Sequence, residues 1–343
     1  MTAVAGLTLA LGFATTENVY ADKINSPANA TERYEDGYWY LNDNATGKHY
    51  TGWQKVNGQI VYYNNEGQKL FGSQKVNGKW YYFDPESGAR NESELTTING
   101  KTYSFDDNGV RHSMSELTKL VKSLKTNASV AIQSQKTSKI YSYNKTKVQL
   151  RTASTMKVSV LAQLLHQTKG KLNKTQNSLA TRMIENSDNA ATSAILDRYL
   201  GGHTGVKKIY KALEMKSTQA IQAWGYTPST PVDQLKVLYQ IFLTNKSSYL
   251  NSASQKKIKY LMSHVNSSQR WGISAGSSKY YLKNGWTTYG VSFTNDPWYV
   301  DSIGFIPQGK NNGYTIAIYT YGDNYNNGVK KVEKIARKVK KMM

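Results

Sequence analysis

Apolar positions in this chain follow two different periods, and the change occurs near Ser113. Before it, residues 37–110 consist of short aromatic runs that end in Asn, Asp and Gly, a pattern typical of β-strands and tight turns. After it, apolar residues recur at helical spacing, beginning with Leu117, Val121 and Leu124. The pattern therefore predicts a small all-β region followed by a region that contains several helices.

Four related units make up the aromatic region. Their opening residues, Gly37, Gly58, Gly78 and Gly100, are 21, 20 and 22 residues apart, and each precedes a strand-like run. Each unit predicts a β-hairpin, and a hairpin of this size cannot bury its own face, so neighbouring hairpins must stack. We therefore predict a β-hairpin solenoid over residues 37–112, after a linker at residues 22–36.

The third unit, Gly78-Lys79-Trp80-Tyr81-Tyr82-Phe83-Asp84, resembles the cell-wall-binding repeats of choline-binding and glucan-binding proteins. In that family, aromatics of adjacent hairpins form pockets for choline or sugar rings, and Trp and Tyr faces suit both ligands. Each aromatic could equally be part of the core of the stack. The resemblance implies wall-ligand contacts by Trp39, Trp53, Tyr62, Tyr63, Trp80, Tyr81 and Tyr82.

Residues 113–343 predict an α/β (α+β) domain. The run Ser113-Met114-Ser115-Glu116 matches a capping box that would open the first helix. Strand-like runs follow, then a block of helices, further strand-like runs, and an amphipathic last helix at residues 329–343. Because consecutive strands are joined by short turns, we expect a mostly antiparallel sheet with flanking helices and a helical lobe.

Ser154-Thr155-Met156-Lys157 is the first of three short motifs in the second half. Ser-x-x-Lys alone is uninformative, but apolar residues at helical spacing follow Ser154, so Ser154 opens a buried helix. Its hydroxyl would lie at the positive end of that helix, and Lys157 lies almost one turn further on. Burial and a second cation would lower the pKa of Lys157 and make its neutral amine a plausible base.

The other two motifs are Ser187-Asp188-Asn189 and Lys283-Asn284-Gly285. Taken separately, the second fits a helix N-cap, and the third fits a turn that carries a lysine. The order and context of all three resemble the Ser-x-x-Lys, Ser-Asp-Asn and Lys-Thr-Gly set of the penicillin-binding protein and class A β-lactamase superfamily. The resemblance covers about residues 113–343.

Membership of that superfamily implies a role for each motif residue. Ser154 would be the acylated nucleophile, Lys157 its proton acceptor, and Ser187 a proton relay to the leaving group. Asn189 would bind the substrate amide, whereas Asp188 would be structural. Lys283, Asn284 and Gly285 would hold the substrate, with the Lys283 ammonium on its carboxylate. The oxyanion hole would consist of the backbone N–H groups of Ser154 and Trp286.

Two departures from the family pattern determine the expected activity. Asn284 replaces the usual Thr or Ser, and an amide has a different reach. Class A β-lactamases carry a water-activating glutamate between the second and third motifs, but this interval holds only Asp197, Glu214 and Asp233, and residues 216–232 contain no acid. We therefore expect no efficient β-lactamase activity.

The sequence predicts a serine acyl hydrolase or transferase that acts on D-Ala-containing peptidoglycan peptides or on wall-polymer esters. β-Lactams would be covalent acylating ligands. One alternative is a wall-binding protein whose catalytic fold has decayed, and another is a true class A-type β-lactamase. A third, a polyanion-binding inhibitor or adhesin, has only charge in its favour.

Charge and composition extend this picture. Residues 22–112 hold 10 Lys and Arg against 12 Asp and Glu, whereas residues 113–343 hold 34 against 10. Such a basic half attracts polyanions. The apolar start predicts a signal peptide at residues 1–21 and a secreted, wall-associated protein of a Gram-positive-type bacterium. Its polyanion would then be teichoic acid rather than nucleic acid.

Some kinds of chemistry find no support in the sequence. The chain has no cysteine, which excludes disulfides and thiol nucleophiles, and its five histidines have no metal-ligand spacing. No Gly-rich phosphate loop precedes a helix. No later apolar run is long enough for a stable membrane span. We expect neither a metal nor another cofactor.

Overall fold

The computed structural model describes residues 23–288, 297–309 and 311–343. The predicted signal peptide at residues 1–21 lies outside them. The chain forms two compact units: the first ends at Gln74 and adds Phe83–Arg90, and the second comprises Lys75–Tyr82 and Asn91–Met343. The domain limits drawn from the sequence, 37–112 and 113–343, stay a prediction. Among the described residues, no helix is long and apolar enough to cross a membrane.

The aromatic region consists of the predicted β-hairpins. β1 pairs with β2, β3 with β4 and β5 with β6, while β7, β8 and β9 form a three-stranded sheet. The strands are β1 (Ala30–Glu35), β2 (Tyr38–Asp43), β3 (Gly52–Val56), β4 (Gln59–Tyr63), β5 (Gly72–Val76), β6 (Lys79–Phe83), β7 (Glu94–Ile98), β8 (Lys101–Phe105) and β9 (Arg111–Ser113).

Two-residue turns close these hairpins. In Asp36-Gly37, Asn57-Gly58, Asn77-Gly78 and Asn99-Gly100, both residues have positive φ. Two positive φ angles in a two-residue loop match the twist of antiparallel strands, and Asn or Asp followed by Gly adopts them most easily. The glycines that mark the repeat are therefore the second residues of its turns.

Aromatic and aliphatic side chains of the first unit form a small core. Tyr63 is fully buried beside Leu41 and Val61. Its hydroxyl donates to Glu32 at 2.5 Å, and Glu32 also accepts from Lys69 Nζ at 2.6 Å. Because a buried phenol needs a partner for its hydroxyl, this bonded group satisfies the polar atoms beneath the hairpins.

A five-stranded antiparallel sheet organises the second unit, in the order β11-β10-β14-β13-β12. Its strands are β10 (Asn127–Ser134), β11 (Ile140–Asn144), β12 (Tyr281–Thr288), β13 (Trp298–Pro307) and β14 (Gly313–Asp323). The helices are α1 (Ser115–Ser123), α2 (Lys157–Gln167), α3 (Lys174–Glu185), α4 (Asn189–Tyr199), α5 (Lys207–Ala212), α6 (Pro231–Leu238), α7 (Ser252–Ser263) and α8 (Tyr325–Met342). The predicted antiparallel sheet with flanking helices is confirmed.

The two faces of this sheet bury two different cores. Ile303 and Tyr319 pack with the helical lobe that includes α2, α3 and α4. Val300 and Ile318 pack with α1 and α8. Successive residues of a strand point to opposite faces, so one strand serves both cores and is buried throughout. Leu95 of β7 is fully buried in the second core.

The start of α1 differs from the sequence prediction. Its N-cap is Met114, and no side chain caps it. Ser113 instead ends β9, where it pairs with Tyr103, and Glu116 forms an ion pair with Lys338 of α8. The predicted capping contact is nevertheless partly present, because Ser113 Oγ accepts from Ser115 N at 3.3 Å and the Glu116 carboxyl accepts from the backbone N–H of Ser113.

Candidate active site

Ser154 lies in a one-turn 3₁₀ helix, Ala153–Met156, that leads directly into α2. Every residue of α2 from Lys157 to Leu165 is buried, so the predicted buried helix after the serine is present. Ala153 has φ of 41°, a left-handed conformation that costs energy in a residue other than glycine. The chain therefore turns sharply just before the candidate nucleophile.

Lys157 is fully buried, and its ammonium group is held by three acceptors. Nζ donates to Ser187 O at 2.6 Å, to Ser187 Oγ at 3.2 Å and to Asn189 Oδ1 at 2.7 Å. Burial lowers the pKa of Lys157 to about 7. About half of these amines are therefore neutral at neutral pH and able to accept a proton.

Ser187 is the point at which the three motifs meet. Its Oγ accepts from Lys157 and also from Lys283 Nζ at 2.9 Å. Ser187 has φ of 56°, so the turn between α3 and α4 holds it in a left-handed conformation. Burial, and then the neighbouring Lys157, hold the pKa of Lys283 well below its usual value. The structure thus brings Ser187, Lys157 and Lys283 together as the sequence predicts.

Asp188 and Asn189 have separate places in the second motif. Asp188 is the N-cap of α4 and accepts from Ala191 N at 2.9 Å. That bond, together with the ion pair to Arg182, keeps the pKa of the Asp188 carboxyl below its usual value. Asn189 is the first residue of α4, and its exposed side chain meets Lys157. Asp188 therefore stabilises the start of α4 and Asn189 lies beside Lys157, while the binding of a substrate amide by Asn189 stays a prediction.

Gly285 allows β12 to approach the turn that carries Ser154. A Cβ at position 285 would lie 2.7 Å from Thr152 O, 2.8 Å from Ser154 N and 2.9 Å from Thr155 N. Those are backbone atoms that cannot move aside, so only glycine fits. β12 is also the edge of the sheet, where some backbone groups remain free for a ligand. The two segments that carry the predicted oxyanion donors, Ser154 and Trp286, therefore meet at Gly285.

The Asn284 side chain does not lie at the cleft, which corrects the predicted role in substrate binding. Asn284 is fully buried, and its Nδ2 donates to Gln269 O at 2.8 Å and to Trp271 O at 3.0 Å. Alternation along β12 explains this, since Lys283 and Gly285 share one face and Asn284 points to the other. Asn284 anchors the segment at residues 269–271, whose Gln269 Oε1 lies 3.5 Å from Lys283 Nζ.

The aromatics of the repeat divide into buried and exposed sets. Trp53, Tyr63 and Tyr81 are fully buried, so for them the core interpretation holds. Tyr62 and Tyr82 are partly buried. Trp39 and Trp80 are 41% and 44% exposed. The guanidinium of Arg111 lies 4.8 Å from the Trp80 ring centroid and covers one face of that ring.

Trp39 lies in a cavity of about 470 Å³ within the first unit. Its walls include Tyr34, Tyr38, Phe71 and Glu86. The Tyr34 and Trp39 ring centroids are 5.4 Å apart and inclined at 54°. Tyr34 and Phe71 were missed from the sequence because they lie outside the recurring aromatic run, whereas Tyr38 lies within the first run but was not among the candidates.

Sequence profiles match both halves of the chain. The choline-binding repeat matches residues 50–94, and the beta-lactamase enzyme family matches residues 167–343, just over half of the chain. This chain belongs to the beta-lactamase enzyme family. The matched stretch contains Ser187 and Lys283 but begins after Ser154 and Lys157. The assignment of the first motif to the site therefore depends on the geometry described above. No curated protein matches the sequence.

Solved β-lactamases and a penicillin-binding protein share the fold. The β-lactamase from Chitinophaga pinensis DSM 2588 is 15% identical with a TM-score of 0.56, covering 66% of this chain and 97% of its own. The β-lactamase from Streptosporangium roseum is 16% identical with a TM-score of 0.54, covering 67% and 98%. PBP-A is 17% identical with a TM-score of 0.54, covering 66% and 94%. At these identities the likeness concerns the fold alone.

The three acids between the second and third motifs of this family member lie in separate surroundings. Asp197 is exposed on α4, and Glu214 is exposed after α5. Asp233 is buried in the first turn of α6, where it accepts from Ser217 N at 2.8 Å and Thr218 Oγ1 at 2.9 Å. Asp233 thus fixes a turn. None of the three forms a hydrogen bond with Ser154, Lys157 or Ser187 in the described chain.

Gly285→Ala should reduce acylation of Ser154 by at least about tenfold, because the new Cβ would push β12 away from Ser154 and misplace the reacting groups. The rate of labelling by a fluorescent penicillin measures this. Gly225→Ala is the matched control, since a Cβ there meets no atom within 4 Å. Equal labelling rates in the Gly285 variant and the wild type would contradict the assigned contact.

The acylation rate should depend on the protonation of Lys157. Because burial lowers the pKa of Lys157 to about 7, the rate should reach half of its plateau at that pH. Below it, the rate should fall about tenfold per pH unit as the amine becomes protonated and loses its capacity to accept a proton. Lys157→Arg, which keeps the charge but stays protonated, should abolish acylation across the range. A rate without pH dependence there would argue against Lys157 as the base.

Proposed function

We propose that this protein is a serine acyl hydrolase or transferase that works through an acyl-enzyme on Ser154. The observation that carries the proposal is a pair of buried lysines that both contact Ser187 Oγ. Lys157 lies almost one helical turn after Ser154, and Lys283 lies on the edge strand β12. Neither lysine forms a salt bridge with a carboxylate in the described chain, and buried ammonium groups of this kind are costly, so their pairing favours a role in chemistry.

In the proposed reaction, neutral Lys157 takes the proton of the Ser154 hydroxyl while its oxygen attacks a carbonyl carbon. Backbone N–H groups of Ser154 and Trp286 stabilise the developing oxyanion. Ser187, which contacts both lysines, passes a proton to the leaving group. Hydrolysis or transfer then releases the acyl group and restores Ser154.

A substrate with a carboxylate beside the scissile bond suits Lys283. Residues 113–343 carry a large excess of basic over acidic residues, which favours anionic surroundings. D-Ala-containing peptidoglycan peptides carry such a carboxylate, and D-alanyl esters on teichoic acid would be bound through the anionic polymer instead. Both remain within the proposal.

Efficient β-lactamase activity is excluded from the proposal, because Asp197 and Glu214 are exposed and the Asp233 carboxyl is bound to Ser217 and Thr218. A true class A-type enzyme would need a further base to activate water, and among the described residues the bases at this site are the amines of Lys157 and Lys283. A decayed, purely wall-binding protein is disfavoured by the intact contacts among Lys157, Ser187, Asn189 and Lys283.

We further propose that the first unit tethers the enzyme to a wall polymer. The cavity at Trp39 supports this with exposed aromatic faces and the Glu86 carboxylate, which together suit a choline headgroup or a sugar ring. Secretion and attachment to peptidoglycan or wall glycan of a Gram-positive-type cell follow from the same proposal.

A fluorescent penicillin should label the wild-type protein covalently and persistently, whereas Ser154→Ala should stay unlabelled. Nitrocefin should be turned over only slowly, since none of Asp197, Glu214 and Asp233 contacts the reacting groups in the described part of the chain. Mass spectrometry of the labelled protein identifies the modified residue. Rapid nitrocefin turnover would favour the true β-lactamase, and an unlabelled, folded wild type would favour the decayed protein.

Trp39→Ala should weaken retention on purified Gram-positive walls and on whichever of choline or glucan resin retains the wild type. The expected loss is about tenfold or more in affinity, since an exposed aromatic wall of the cavity disappears. Tyr260→Ala, which removes an exposed ring from α7, is the matched control. Unchanged retention of the Trp39 variant would place the wall-binding site elsewhere.

A further inference from the structure

Trp224 covers the candidate base. Lys157 Nζ lies 5.2 Å from the centroid of the Trp224 ring. Trp224 begins the short helix Trp224–Tyr226, which contacts the turn that carries Ser154. Its indole N–H donates to Ser193 Oγ at 3.3 Å. The ring is therefore held on both sides, by the active-site turn and by α4.

The other directions around the ammonium group are occupied as well. Ser187 O, Ser187 Oγ and Asn189 Oδ1 accept its three N–H bonds, and the Lys157 side chain is fully buried. A water molecule that used Lys157 as its base would have to displace one of these acceptors or pass the indole. The acid-free segment at residues 216–232 thus supplies a large aromatic ring beside the base.

We propose that Trp224 is a positioning residue that keeps water away from Lys157 in the acyl-enzyme, so that the acyl group passes preferentially to a bound amine or alcohol. This rests on the proposed acyl-enzyme at Ser154 and decides what consumes it. The acceptor would enter from the open side of the cleft, along β12, and would carry its own binding contacts.

The step balances without another reactant. The acceptor nitrogen or oxygen attacks the carbonyl carbon of the Ser154 ester, and its proton goes to Lys157 Nζ. The bond between the carbonyl carbon and Ser154 Oγ then breaks, and Oγ takes the proton back from Lys157. With water as acceptor, the same sequence gives hydrolysis. The two outcomes therefore differ only in the nucleophile, and binding contacts along β12 would let an acceptor, unlike free water, displace one of the oxygens bound to Lys157 Nζ.

The lifetime of the acyl-enzyme tests the proposal on the full-length chain. Wild type, Trp224→Phe and Trp224→Ala are labelled with a fluorescent penicillin, freed of excess reagent, and followed by loss of the label. Opening the space beside Lys157 should shorten the lifetime at least about tenfold in the alanine variant, with a smaller effect in the phenylalanine variant. Tyr260→Ala should keep the wild-type lifetime.

Two further readouts separate this role from a merely structural one. With a D-Ala-D-Ala peptide and a D-amino acid as acceptor, the ratio of hydrolysis to transfer should rise in the Trp224 variants. Exposing Lys157 to water should also raise its pKa, so the pH midpoint of acylation should move upward. A loss of folding alone would change neither the ratio nor the midpoint.

The outcomes separate this inference from the function on which it rests. An unlabelled wild type would remove the acyl-enzyme itself. A labelled wild type whose lifetime and transfer ratio equal those of Trp224→Ala would overturn the role of Trp224 alone. If Trp224→Ala acylates too slowly to follow, the phenylalanine variant decides by the same criteria, and its failure to acylate while folded would also overturn the inference.

Discussion

Two ammonium groups share one hydroxyl inside this protein, and much of the surrounding structure holds that arrangement in place. Lys157 and Lys283 are both fully buried, and the polar atoms around them are carbonyl, hydroxyl and amide oxygens rather than carboxylates. Desolvation and mutual repulsion both favour the neutral amines. The Asp188 carboxylate acts in the opposite direction on Lys157, but desolvation outweighs it and the pKa of Lys157 remains lowered.

Backbone strain and a close backbone contact also help to hold the two lysines and Ser187 in place. Ala153 and Ser187 adopt left-handed conformations on the two segments that face each other across Lys157. Gly285 lets the sheet edge contact the Ser154 turn, and Asn284 fixes that edge from its other face. Unfavourable dihedrals of this kind persist only where the surrounding packing enforces them. Here the packing of the buried helix α2 and of the sheet does so. The packing of this region therefore fixes the positions of a few polar atoms on the Ser154 turn, on Ser187 and on β12.

The sequence was sufficient for the features that depend on local pattern. Helical spacing after Ser154 located the buried helix, and Asn-Gly or Asp-Gly pairs marked the hairpin turns. The pattern failed where tertiary contacts decide. Nothing in Lys283-Asn284-Gly285 shows that Asn284 faces away from the cleft, because strand register follows from pairing with β13. Trp224 was missed for a related reason. The sequence shows that residues 216–232 contain no acid, but it does not show which of them lies beside Lys157, because that depends on how the loop folds back onto α4.

Asp301 is a buried acid on the strand next to β12, and desolvation affects it as it affects the two lysines. It lies opposite Gly285 in β13, shares a sheet face with Lys283 and is fully buried. One carboxyl oxygen accepts from Thr320 N, while the other has no hydrogen-bond partner among the described residues, and burial raises the pKa of the group well above its usual value. Desolvation therefore favours the uncharged form of Asp301. Burial lowers the pKa of Lys283 and raises the pKa of Asp301, and both shifts favour the uncharged form, because desolvation penalises any charge buried on this face of the sheet.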